Sequence, residues 1–361
     1  MKLDRSSLVL RLGVVLACCL VLFAVSGAQR SSIKEDERVV FFPTFAVRDQ
    51  ADWVVNIHGW VYEPELNSRL RQETLDAFRR LLGLSEKELE SQVFQQRARP
   101  FLVDNERKKE LTIRLGEREF PGGTSEPTGH FRQSLRLPVV AAKGLVDGDG
   151  WLPLQAVTRP TDPRRFSGRC QLLEPEGVSV ISDIDDTIKV TEVRDRGALI
   201  ANTFLREFEP TPGMAELYQT WARQGMAFHY VSASPWQLFE PLEEFRKKHG
   251  YPAGTFHLRE FRLKDRSALQ LLASPLETKP PILEKVLDAF PKRKFILVGD
   301  SGEKDPEIYG NLARKRAGQV QRVLIRDVAN EPADGERYRQ AFADLPREKW
   351  TLFTHPREVN P

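Results

Sequence analysis

The sequence predicts an α/β protein: a doubly wound parallel sheet preceded by a β-rich, sandwich-like domain with a helical insertion. Three observations lead there. From residue 178 onward, short apolar runs alternate with helical stretches, the pattern of a parallel sheet with crossover helices. Before residue 165 the strand patterns follow one another with only one helical interruption. Between the two lies Arg159-Pro-Thr-Asp-Pro-Arg-Arg165, rich in proline and charge, as a boundary would be.

The chain of 361 residues is long enough for two domains. Its net charge of +3 is too small to argue for nucleic acid. Lys2, Arg5 and Arg11 precede an apolar run over 12–25, followed by the small residues Ser26, Gly27 and Ala28. This layout is that of a secretory signal over 1–28, cleaved after Ala28, with an uncleaved membrane anchor as the alternative. An extracytoplasmic location, periplasmic or secreted, is expected. Beyond Cys18 and Cys19 only Cys170 remains, so the mature chain has no internal disulfide, and no cysteine spacing suggests zinc.

The β-rich domain is expected over 37–165. Runs at 39–42 and 53–61 read as strands. Asn67 opens a helical stretch that Gly83 stops. Ser85 and Glu88 have the spacing of a capping box and start a second helix. Strands resume over 111–115, 130–137 and 151–157. The second domain is expected over 170–328, with strands at 178–182, 228–232, 255–258, 294–298 and 322–325. Helices fall between them at 214–224, 236–248, 281–290 and 306–316. The tail, 329–361, is expected to pack on this domain through a helix near 336–344.

Several strands of the second domain end in polar groups. The first runs into Asp183-Ile-Asp185-Asp186-Thr187, the second into Ser232-Ala-Ser234, the fourth into Gly299-Asp300-Ser301-Gly302-Glu303-Lys304-Asp305. Lys279 precedes the helix that leads into the fourth strand. A parallel sheet brings such ends to one edge, where open α/β sheets bind ligands. Asp183 and Asp185 are two apart and share a face in extended chain. Carboxylates that close call for a metal, a shared proton or a reaction.

The set suits phosphoryl transfer. Asp183 fits a nucleophile and Asp185 an acid and base. Asp183 and Asp300 fit Mg2+, an ion that prefers oxygen. Ser232 and Lys279 fit phosphate oxygens, and Thr187 can orient the nucleophile. Taken singly, Ser232 reads as a turn hydroxyl and Lys279 as a solvated lysine, with Lys264 and Lys304 as substitutes for it. Asp305 reads as a cap for a helix starting at Pro306. Asp186 reads as a bystander. Co-occurrence in order favours the site.

This order resembles the haloacid dehalogenase superfamily: Asp183-x-Asp185-x-Thr187, then Ser232, Lys279, and Gly299-Asp300-x-x-x-x-Asp305. More narrowly it resembles the App1-type phosphatidate phosphatase catalytic domain, through Ser182-Asp-Ile-Asp-Asp-Thr-Ile-Lys189, Pro212-Gly-Met214, His229-Tyr-Val-Ser-Ala-Ser-Pro-Trp236 and Gly299-Asp-Ser-Gly-Glu-Lys-Asp-Pro-Glu-Ile-Tyr309. The resemblance implies Mg2+-dependent conversion of phosphatidate to diacylglycerol. It also implies metal ligation by the Asp183 side chain, the Asp185 backbone carbonyl and Asp300, with Asp305 in support.

The segments between Thr187, Ser232 and Lys279 are too modest for a separate cap domain, so an open site is expected. A phosphorylated lipid with peripheral membrane contact is the expected partner. Phe204, Trp236, Leu238 and Phe239 are candidates for an apolar approach, with helix packing as the alternative. Arg314, Lys315, Arg316, Arg322 and Arg326 are candidates for anionic lipid, with a solvated face as the alternative. Other phosphomonoesters, and a noncatalytic lipid- or protein-binding role, are the competing functions. A serine hydrolase at Gly299-Asp-Ser-Gly302 is disfavoured by Glu303-Lys304 and by the α/β pattern.

Overall fold

The computed structural model describes residues 31–64, 75–76, 79–80, 82–261 and 275–359. The expected export segment, most of the helix after Asn67, and Lys264 lie outside them.

The first sheet comprises β1 (Arg38–Phe41), β2 (Thr44–Asp49), β3 (Asp52–Glu63), β4 (Asp104–Asn105), β5 (Glu110–Leu115), β6 (Arg118–Thr124), β7 (His130–Pro138), β8 (Trp151–Ala156) and β9 (Ser167–Leu173). The hydrogen-bonded order is β1-β3-β2-β9-β8-β5-β6, with β4 and β7 also on β3. The long β3 alternates buried and part-buried residues along its first half and pairs along both edges. Gly123 of β6 comes beside the Arg132 carbonyl of β7, so the sheet curls back on itself. Val55, Ile57, Ile113, Phe131 and Leu152 fill the curl. The β-rich region expected here is thus one continuous hydrogen-bonded sheet that curls on itself, with β3 long enough to pair with several partners at once. The Ser85–Glu88 capping box does open a helix, Glu86–Leu89.

β9 pairs in parallel with β2, Thr44 opposite Cys170. Cys170, where the second domain was expected to open, thus belongs to the first sheet, and the second sheet begins at the expected strand, β10 (Val178–Asp183). It continues with β11 (Ala227–Pro235), β12 (Thr255–Arg259), β13 (Lys294–Asp300), β14 (Val320–Arg326) and β15 (Trp350–Phe353). The order is β12-β11-β10-β13-β14-β15 and every pairing is parallel. The tail adds β15 to this sheet as well as the helix Glu336–Ala341.

Alternate side chains of the central strands enter two cores. Val180, Phe228, Ile296 and Val298 meet the helices Met214–Arg223 and Phe239–Lys248 on one face. Ile181, Val231, Phe295 and Leu297 meet Pro275–Ala289 and Asp305–Lys315 on the other. Strands buried on both faces read as continuous apolar runs, as these do. Among the described residues the helix bearing Lys279 runs Pro275–Ala289, so it includes at least six residues before the expected start, and Pro280 and Pro281 lie inside it. The order reverses between β10 and β13, which opens a crevice beyond their carboxyl ends. No helix among the described residues is long and apolar enough to cross a membrane.

Candidate active site

β10 delivers Asp183 to that crevice almost fully buried. Thr187 Oγ1 donates to its Oδ2 at 3.1 Å, and Lys279 Nζ stands 2.7 Å from its Oδ1. Lys279, wholly buried, also meets Asp305 Oδ1 at 2.6 Å and Glu303 Oε2 at 3.2 Å. Asp300 ends β13. Its Oδ1 accepts the Gly302 and Glu303 amides at 2.6 and 3.1 Å, while its Oδ2 is buried without a hydrogen-bond partner. Asp305 opens the helix Asp305–Lys315, whose cap position is Lys304. Its carboxylate turns to Lys279 and the Asp300 amide rather than capping the helix. Gly299 makes this possible, since a Cβ there would collide with the Asp305 carboxylate.

Four carboxylates, those of Asp183, Asp300, Glu303 and Asp305, thus crowd one ammonium. Burial pushes Asp183 well above the usual aspartate range; Asp305 and Asp300 add to this and Lys279 opposes it. Asp300 is pushed up by burial and by Asp305. Burial would lower Lys279, but the surrounding carboxylates outweigh it and hold the ammonium charged. Oxygens of Asp183, Asp300 and Asp305 lie within 4.8 Å of one another. A hard divalent cation fits this all-oxygen set: it would neutralise the excess charge and occupy the orphaned Asp300 Oδ2.

Asp185 occupies a second cluster. Ser232 and Ser234 donate to its Oδ2 at 2.8 and 3.2 Å, and Thr191 to its Oδ1 at 2.9 Å. Lys189 Nζ lies 2.9 Å from Oδ1. Burial would raise this carboxyl, yet Lys189 and the hydroxyls hold it down at about 2. Lys189, Thr191, Ser234 and Glu303 went unnoticed as site residues in the sequence. Ser234 was findable, since it is two residues from Ser232 on a strand. Lys189, buried also against the Phe208 ring at 4.7 Å, gave no signal beyond its place in the run after Asp185.

Asp186 is a loop organiser. At φ +54° it accepts the Thr191, Glu192 and Val193 amides at 2.7–2.8 Å. Lys304 is exposed, and its ion pair is with Glu307 at 3.8 Å. Ser301 bonds Asp327 and the amides of Val328 and Ala329, which is loop structure and not a nucleophile's setting. Phe204, Trp236, Leu238 and Phe239 are buried in the core and do not form an open apolar approach. Arg314 and Arg326 donate to backbone carbonyls, Lys315 and Arg316 pair with Glu284 and Asp288, and Arg322 reaches Thr351. These side chains are engaged within the protein.

The sheet and its crowded strand ends define an acid-lined α/β domain, and comparison with known proteins says what it is similar to. Residues 178–327 match the family model of the phosphatidate phosphatase APP1 catalytic domain. The chain is 33% identical over 177 residues to the phosphatidate phosphatase APP1 of Saccharomyces cerevisiae, covering 48% of this chain and 30% of that protein. An uncharacterised protein of Schizosaccharomyces pombe is 28% identical over 183 residues, covering 49% of this chain and 30% of that one. The App1-type resemblance read from the sequence therefore holds for the second sheet's domain. The chain spans about 30% of the length of these relatives. Solved structures similar to it include a putative β-phosphoglucomutase of Thermotoga maritima (13% identity, 50% of this chain and 96% of that one, TM-score 0.31) and an apo phosphoserine phosphatase (12% identity, the same coverage, TM-score 0.31). Superpositions this loose carry no argument about function.

Proposed function

We propose that the chain is a Mg2+-dependent phosphatase of phosphomonoesters, with phosphatidate as substrate and diacylglycerol and phosphate as products. The observation that carries this reading is Asp183. It is a buried carboxylate at the sheet's switch point, between Lys279 and Thr187, inside the segment that matches a phosphatidate phosphatase domain.

In this reading an Asp183 oxygen attacks phosphorus, the ester P–O bond breaks, and an aspartyl-phosphate forms. Asp185 gives a proton to the leaving alkoxide. It then takes one from the water that attacks the intermediate, and phosphate leaves as the Asp183 carboxylate is restored. Since Lys189 holds Asp185 ionised at rest, the first proton enters with the substrate, whose phosphate has its second ionisation near about pH 6. Thr187 and Lys279 orient Asp183, and Ser232 and Lys279 hold phosphoryl oxygens. Asp183, Asp300 and Asp305, with the Asp185 carbonyl, would hold Mg2+. When bound, the ion offsets the charge gathering on the phosphoryl group.

The basic and apolar N-terminal layout supports an extracytoplasmic enzyme, anchored if uncleaved. Peripheral contact with a membrane would bring lipid to the site. Phosphate release should be measured on phosphatidate, nucleotides, sugar phosphates and phosphoproteins. Phosphatidate should be turned over fastest, EDTA should stop the reaction, and Asp183→Asn should abolish it in a folded protein. Activity that survives EDTA or Asp183→Asn would overturn the mechanism, and a clear preference for a soluble ester would overturn the lipid assignment.

A further inference from the structure

Away from the acidic crevice, two imidazoles and a carboxylate converge where the curled sheet rests on the parallel one. His58 lies on β3 and His130 on β7. In that ladder His58 faces Arg132 and Trp60 faces His130, so the two histidines are diagonal neighbours on one face of the sheet. His58 Nε2 stands 3.0 Å from His130 Nδ1. Glu260, the residue after β12, comes from the other sheet and brings a carboxylate oxygen within 4.8 Å of a ring nitrogen of each histidine. Arg132 binds Oε1 of that carboxylate.

The surroundings suit a bound ion. Phe42 stacks on His130 at 5.7 Å, and Trp236 sets its edge to His58 at 4.8 Å, which fixes both rings. A cleft of about 380 Å³ opens beside them, lined in part by His58, Arg132, Trp236, His257 and Lys285. Burial holds both imidazoles below their usual range, His130 down to about 4, so both rings are neutral at neutral pH and a change of tautomer is enough to turn a lone pair of each toward a metal.

We propose that His58, His130 and Glu260 bind a divalent ion of the Zn2+ class, with water from the cleft as the fourth ligand. The ion pins the β-rich region to the edge of the parallel sheet. Zinc–nitrogen bonds of about 2.0–2.1 Å in tetrahedral geometry set two nitrogens roughly 3.3 Å apart, so the rings need to part by only a few tenths of an ångström. Two nitrogens and one oxygen select zinc-like ions over Mg2+, which prefers oxygen alone. Arg132 is the outer partner that orients the carboxylate. Arg132 and Lys285 also face the cleft with positive charge, which weakens binding relative to an unopposed set of the same ligands. A plain imidazole–imidazole hydrogen bond would account for the nitrogen contact but not for a third ligand arriving from another sheet.

The untagged full chain, stripped with EDTA and desalted into excess Mg2+ to fill the acidic crevice, should be titrated with Co2+. The expected result is one Co2+ per chain, a visible d–d band of a low-coordinate site, a higher melting temperature, and displacement by Zn2+. His58→Gln and His130→Gln should each remove the band. Glu260→Gln, at a partly exposed position, should shift and weaken it, and serves where a histidine variant does not fold. Asp300→Asn should leave it unchanged. No band with the wild-type chain, a band that persists in both histidine variants, or a band that Glu260→Gln leaves unchanged would overturn the proposal and leave the pair as a hydrogen bond.

Discussion

The two aspartates that lead the site are tuned in opposite directions by their immediate partners. Asp183 sits among carboxylates in a dry crevice and Asp185 beside Lys189. A carboxyl whose folded pKa is raised holds its proton more tightly in the fold. The stability it contributes is complete below the ordinary aspartate range and is lost as pH rises through the raised value. Asp183 and Asp300 are both of this kind. Asp185, held at about 2, does the reverse: its contribution is present above the ordinary range and is lost only as pH falls toward that value. Between about pH 5 and about pH 8 the Asp183 and Asp300 pair is opposed by the buried His58, His130, His229 and His257, whose lowered pKa values favour the alkaline end. Mg2+ acts on the carboxylate part alone, so it should raise the melting temperature more at the alkaline end of this window than at the acidic end and so change the gap between them. Melting curves at both pH values, with EDTA and with Mg2+, test this; a gap that Mg2+ leaves untouched would count against a cation among these carboxylates.

At the scale of an element, the helix Asp305–Lys315 carries a site residue at its first position and a packing constraint at its middle. Gly310 lies against the Ala341 carbonyl at the end of the helix Glu336–Ala341, and a Cβ there would fall inside that oxygen's contact radius. Gly310→Ala should destabilise the protein by about 1–3 kcal/mol, the usual cost of overpacking, despite alanine's better helix propensity. Urea unfolding gives the number, and an unchanged midpoint would mean that the two helices separate without strain. Because Asp305 rides on the same helix, the proposed phosphatase activity should fall in this variant along with its stability.

Over the whole molecule the two sheets share a core. Phe42, between β1 and β2, packs on Trp236 with ring centroids 4.0 Å apart and meets Phe239 edge-on at 5.0 Å. Phe45 of β2 lies 5.0 Å from Phe290, beyond the helix Pro275–Ala289. The Phe256 amide of β12 donates to the Pro43 carbonyl at 3.2 Å. Regions joined this way should unfold together. Calorimetry should show one transition with equal calorimetric and van't Hoff enthalpies. Trp236→Ala should cost about 3–5 kcal/mol and separate the transition into two. Two transitions in the wild-type chain would show the shared aromatic core to be too weak to couple the sheets.

By itself the sequence determined the α/β order and the chemistry at the strand ends. Both are written locally: strands buried on two faces must be continuous apolar runs, and the runs at 178–182 and 294–298 stop abruptly at Asp183 and just before Asp300. Parallel pairing then forces their ends to one edge, so Asp183, Thr187, Lys279, Asp300 and Asp305 meet although more than a hundred residues separate the first from the last. The tertiary structure alone decided how the first region closes. Its β2–β9 pairing joins Thr44 to Cys170, and periodicity carries no information about a partner that far away. It also decided that Lys189 holds Asp185, that Asp305 faces Lys279 instead of capping its helix, and that Trp236 and Phe239 serve the core. A side chain's partner depends on where separate elements come to rest, which no local pattern encodes.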